Sequence, residues 1–197
     1  MNEFVKNNFK FVLIICVIVV LGLFLFSKME TSIRGFSYGG DRDGQNLIVI
    51  KADKLVQEKR FVFFSAPALR LDNGYIEFYS GDAKFKNVLS EDVFSAFPIK
   101  NVERITVTPV SVKLHRNQAV VSQLFAVSAV VNLKERQIVL KGDVRVIAGP
   151  YLLTAEELIF KPEEGVFQID KRYVMRTAEK RTEGERVRTD VFLETLN

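Results

Sequence analysis

Cysteine and histidine are almost absent from the 197 residues: Cys16 and His115 are the only ones. A single cysteine cannot close an internal disulfide. One residue of each kind cannot build a zinc site of several His or Cys ligands, nor a Cys/His nucleophile pair inside a folded domain. Tryptophan is missing, whereas there are 17 Phe. No G-x-S-x-G, P-loop, H-E-x-x-H or G-x-G-x-x-G pattern occurs, and the carboxylates are scattered. No catalytic residue, metal ligand or cofactor is therefore assigned, and the chain is not read as an enzyme. Asp143 in "GDVR" reads as a turn residue rather than a catalytic acid. His115 alternates outward from Val112 and Leu114 and reads as a surface residue. The net charge of +4 favours an anionic partner but does not choose among lipid phosphate, membrane surface and nucleic acid.

Apolar residues make up 48% of the chain, ample for a core. They are most concentrated at the start. From Phe11 to Phe26 every residue is apolar or Gly22, and with Phe9 the run reaches the roughly eighteen positions needed to cross a bilayer. Lys6 and Lys10 precede it, which places the N-terminus in the cytoplasm. The run ends in Leu25-Phe26-Ser27-Lys28, without the small-residue site of a cleaved signal peptide. Cys16 lacks the small residue expected before a lipidated cysteine and reads as a packing residue. Residues 1–30 are thus expected to hold a cytoplasmic N-terminus and an uncleaved membrane helix. Residues 31–45, polar and Gly-rich, are expected to be a flexible linker, and residues 46–197 a separate extracytoplasmic domain.

In that domain the apolar period is two. "NLIVIKA", "PALRL", "VSVKLH", "RQIVLKGDVRVIAG", "YLLTAEELIF" and "ERVRTDVFLETL" alternate at about ten-residue spacing, as in an all-β sandwich or open barrel. Asn73-Gly74 is a hairpin-turn signal. Residues 87–97 leave room for one helical turn. Thr154-x-x-Glu157 has the form of a helix-capping box, but Pro162 would stop such a helix within two turns. The stretch 140–160 is therefore expected to be a hairpin, with Gly142-Asp143 a kink or turn before one strand and Gly149-Pro150 leading into the next. The basic stretch 171–188 alternates with Glu179, Glu183 and Glu185 and reads as a solvated face, the other reading being contact with lipid phosphates or an acidic partner.

The run of Gly142-Asp143-Val144, then Thr154-Ala155-x-x-Leu158-x-Phe160, then Glu164-Gly165 resembles the repeat of the lipopolysaccharide-transport β-jelly-roll proteins. Ala52, Pro67, Leu69, Leu71, Asn73-Gly74 and Ala83 match the opening of the LptC family. The anchor and the chain length match that family as well. Residues 99–135 depart from it, being longer and more apolar than the family pattern.

The resemblance implies an all-β, open, twisted antiparallel β-jelly roll preceded by one transmembrane helix. It implies a single-pass inner-membrane protein with a periplasmic domain. Such a protein receives lipopolysaccharide from the LptF/LptG transporter with its LptB subunit and passes it along an apolar trough to an LptA-like bridge protein. No nucleic acid and no cofactor are implied. The candidate trough lining is Ile48, Ile50, Phe61, Phe63, Leu69, Leu71, Ile138, Leu140, Val144 and Val146. The N-terminal strand, 47–52, would meet the transporter. The C-terminal strand, 187–195, would meet the bridge protein, with Gly184, Val187, Thr189 and Val191 as docking candidates. Two readings stand beside this one: a membrane-anchored scaffolding domain that binds proteins but not lipid, and an anchored hydrolase with a divergent site.

Overall fold

The computed structural model describes residues 31–42, 45–58, 68–82, 84–99 and 101–194. The N-terminal apolar run and its reading as a membrane helix lie outside the described residues, as do Phe61 and Phe63. Among the described residues no helix is long and apolar enough to cross a membrane.

Alternating, β-branched and aromatic segments form strands, as their period requires. In chain order these are β1 (Thr31–Arg42), β2 (Gln45–Glu58), β3 (Ala68–Ser80), β4 (Arg104–Arg116), β5 (Ala119–Ala126), β6 (Ser128–Asn132), β7 (Gln137–Ala148), β8 (Tyr151–Lys161), β9 (Val166–Arg176) and β10 (Arg181–Asp190). One four-residue helix, α1 (Glu91–Phe94), follows Ser90, whose hydroxyl accepts from the Val93 N–H as an N-cap. It falls inside 87–97, where a helical turn was expected.

The strands form one ten-stranded sheet in the order β1-β2-β3-β4-β5-β7-β8-β9-β10, with β6 bridging β4 and β7. The sheet folds back on itself. Phe78 of β3 meets Phe160 of β8 at 5.9 Å between ring centroids, although other strands separate them in the sheet. The layers cross: Phe78 sits near the end of β3, and its partner Phe160 pairs with Phe167 at the start of β9.

Four expectations need correcting. First, residues 31–42 are not a linker. They are β1, which pairs with β2 along its length and buries Phe36 and Tyr38. The period-two placement of Phe36 and Tyr38 among polar and Gly residues is a strand with one buried face. Second, residues 47–52 are consequently an interior stretch, flanked by β1 and β3. Third, Asn73-Gly74 makes no hairpin. β3 continues through it, with Asn73 at φ 53° and a gap in the β2 pairing between Lys51↔Tyr75 and Lys54↔Asp72. The Asn73 amide donates to the Asp53 carboxylate at 2.6 Å. The dipeptide supplies a local kink in place of a chain reversal. Fourth, the sheet is not wholly antiparallel: β3 and β4 run parallel. Parallel neighbours need a crossover, and residues 81–103 provide it, carrying α1.

The 140–160 stretch is the expected hairpin. β7 is kinked at Gly142 (φ 75°) and Asp143 (φ 49°), where its register with β8 shifts, and Gly149-Pro150 turns the chain. The Gly142 carbonyl accepts from the Val127 N–H at 2.9 Å.

Candidate functional site in the sheet interior and at its edges

Inward side chains line up strand by strand into rows. Tyr38, Ile50, Ile76, Val112, Leu124, Val146, Leu153 and Met175 stand opposite one another in turn from β1 to β9. A second row runs Leu69, Ile105, Val131, Ile138, Phe160, Phe167. Between them lies Leu55, Leu71, Val107, Ala129, Leu140, Leu158. Ile48, Ile50, Leu69, Leu71, Ile138, Leu140, Val144 and Val146 all belong to this one interior, each 1% exposed or less. The structure thus brings together every trough candidate that it describes.

Protein side chains fill that interior. The crossover inserts Phe85, Val88, Leu89, Val93 and Phe97, all buried, between the layers. Phe85 stacks edge-on with Phe78 and Phe160, and its N–H donates to the Pro162 carbonyl at 2.9 Å. Phe97 packs edge-on against Phe36 and Tyr38, and the Tyr38 hydroxyl donates to the Val93 carbonyl. The chain after β10 turns inward too. Val191 and Leu193 are buried, the Ser122 hydroxyl donates to the Val191 carbonyl, and Asp190 accepts from the N–H groups of Phe192 and Glu194.

A half-open cleft of about 750 Å³ lies where the crossover reaches β4. Its apolar lining is Leu89, Phe94, Phe97, Ile99, Val102 and Leu133. Its polar lining is Ser90, Glu91, Ser95, Asn101, Glu103, Lys134 and Arg136. Arg136 is paired with Glu163 at 3.0 Å. The Leu133 N–H donates to the Glu103 carbonyl and closes one side.

The outer face holds a polar cluster that sequence reasoning missed. Tyr75 and Tyr79 donate to Glu77 at 2.7 and 2.9 Å, and His115 Nε2 lies 3.0 Å from the same carboxylate. Lys113 lies over the Tyr75 ring. Burial alone would raise the Glu77 pKa, but hydrogen bonds from Tyr75, Tyr79 and His115 outweigh it and hold the carboxyl below its usual range. Burial, then the bond to Glu77, pushes Tyr75 and Tyr79 up to about 12. The signal was the alternation Tyr-x-Glu-x-Tyr in "YIEFY". His115 does point outward, as its alternation requires, but it is buried rather than exposed: the Tyr79 ring stacks on it at 4.5 Å. Asp143 sits at the β7 kink and pairs with Arg145 at 2.9 Å. On the basic face of β9 and β10, Arg172 and Arg181 pair with Glu183, and Arg188 pairs with Glu164.

β1 and β10 are the edges of the sheet, each paired on one side only among the described residues. β10 ends at Asp190, so the strand expected over 187–195 is shorter. Of the docking candidates, Val187, Thr189 and Val191 are buried side chains. Gly184 lies opposite Tyr173, whose ring a Cβ there would meet at 2.9 Å. Its side-chain hydrogen leaves room for that ring.

No protein-family model matches the chain, and no curated protein matches it. Among solved structures, the chain is similar to LptH, the LptA-homologous periplasmic component of the conserved lipopolysaccharide transport device from Pseudomonas aeruginosa, at 11% identity over 70% of this chain and 79% of that one, with a TM-score of 0.33.

Proposed function

We propose that this chain is an inner-membrane-anchored β-jelly-roll component of lipopolysaccharide transport. In this reading it receives lipopolysaccharide from the LptF/LptG transporter with LptB and hands it to an LptA-like periplasmic protein. The observation that carries the reading is the unbroken apolar interior spanning the sheet from β1 to β9. Each exposed acyl CH₂ costs roughly 0.8 kcal/mol in water, so a carrier needs such a continuous surface. The free edges of β1 and β10 suit strand addition by neighbouring jelly rolls, which would lengthen the trough. The apolar run at 9–26 supplies the anchor beside the transporter's helices.

A second reading is a membrane-anchored scaffold that binds proteins and not lipid. The packing of crossover side chains inside the sheet favours it. Photocrosslinkers placed in membranes at Ile50, Leu69, Ile138 and Val146 separate the two. The carrier reading expects adducts with lipopolysaccharide. Their absence at all four positions, in protein shown to be folded, leaves the scaffold.

A further inference from the structure

Resting on the carrier reading, we infer that the cleft beside the β6–β7 turn is an entry site for the acyl chain of a membrane lipid, and that the crossover is the plug this lipid displaces.

Position is the first argument. β1 begins at Thr31, so only residues 27–30 separate the sheet from the apolar run ending at Phe26. That tether spans at most about 18 Å. The register then runs from Thr31 to Gln57, and through the neighbouring pair Glu58–Ala68 to Arg104. Three strand spacings, about 15 Å, thus carry the membrane-proximal end of the sheet across to β4. Val102 and Glu103 of the cleft immediately precede Arg104, and Leu133 immediately follows its partner Asn132. Once the expected 31–45 linker becomes a strand, the cleft is tied within about 33 Å of the end of the apolar run.

Composition is the second argument. The lining mixes apolar side chains with Ser90, Ser95, Asn101 and charges of both signs, which suits an amphiphile that brings both an acyl tail and a polar head. The volume falls within the usual range for ligand sites.

Continuity is the third. Leu89 and Phe97 line the cleft and are also part of the buried core. A chain that displaced the crossover from this side would meet the Tyr38 and Ile50 row directly. The crossover is held there partly by the hydrogen bond from Tyr38 to the Val93 carbonyl, and α1 is a single turn with little structure of its own to lose.

The test uses the full chain in membranes containing lipopolysaccharide, with Cys16→Ser and a photocrosslinker at either Leu133 or Val146. Gly40→Cys with Val93→Cys locks the crossover, since a Cβ at Gly40 would fall 2.5 Å from Val93 Cγ1. When the lock is oxidised, labelling at Leu133 should persist and labelling at Val146 should fall to background, returning on reduction. Tyr38→Phe, which keeps the ring, should raise labelling at Val146 about fivefold, the shift expected from losing one net hydrogen bond. Undiminished labelling at Val146 in the oxidised lock overturns the plug. Labelling at Val146 with none at Leu133 overturns the entry site but leaves the carrier reading standing. Labelling at neither position in the unlocked chain overturns both.

Discussion

At the scale of single residues, two positions on β3 decide the most. Gly74 lies so close to Val107 of the neighbouring β4 that a Cβ would fall 1.8 Å from Val107 Cγ1. The neighbour is a stiff, fully buried β-branched side chain that cannot swing away. Gly74→Ala should therefore cost about 3 kcal/mol or more, the upper range of overpacking, read as a lower urea midpoint. Glu77 is the second. Its folded pKa is depressed below the usual value of 4.5, so it contributes stability that is present above that value and lost as pH falls through the folded pKa. Glu77→Gln should lower the melting temperature at pH 7, and the gap to the parent protein should close as the pH is taken from 5 towards 3. A gap that stays constant with pH would show that the carboxylate charge contributes nothing.

At the scale of elements, the crossover 81–103 is the piece that makes this sheet unusual. It lets β4 lie parallel to β3, and it places aromatic rings in the space between the layers. Phe85 is the anchor, fully buried against Phe78 and Phe160. Phe85→Ala should cost about 3–5 kcal/mol by calorimetry or denaturant titration, the usual range for a large core truncation. A much smaller loss would mean that the crossover is only loosely seated. The hairpin of β7 and β8 is different in kind. Its Gly142-Asp143 kink, its Gly149-Pro150 turn and its alternation are all local, and all were legible from the sequence alone.

At the scale of the whole molecule, closure comes from the C-terminal turn. Val191 and Leu193 leave the β10 edge and lodge in the common core, with the Val191 carbonyl bonded to Ser122 on β5. Ending the chain after Asp190 should cost about 3–6 kcal/mol, from roughly 1.5–3 kcal/mol for each buried side chain. A denaturation curve matching the full chain would instead mark the segment as a peripheral docking strand. The free edges of β1 and β10 remain open to added strands whichever way the closure is tested.

The sequence by itself determined the β class, the period-two faces and the residues that turn inward, because a strand's alternation is a local property that survives in one dimension. Every described trough candidate is inward for that reason. Tertiary structure decided what the alternation cannot encode. Asn73-Gly74 carries a turn signal, yet it kinks a continuous strand because β4 supplies a parallel partner from thirty-odd positions further along. Residues 31–42 look too polar for a core strand, yet they pair with β2, since only Phe36 and Tyr38 need burial on a one-sided edge. His115 faces outward by its period and is nevertheless covered, because Tyr79 on the neighbouring strand stacks on it. The departure at 99–135 is where β4, β5 and β6 link β3 to β7, a long-range pairing that a local pattern does not encode.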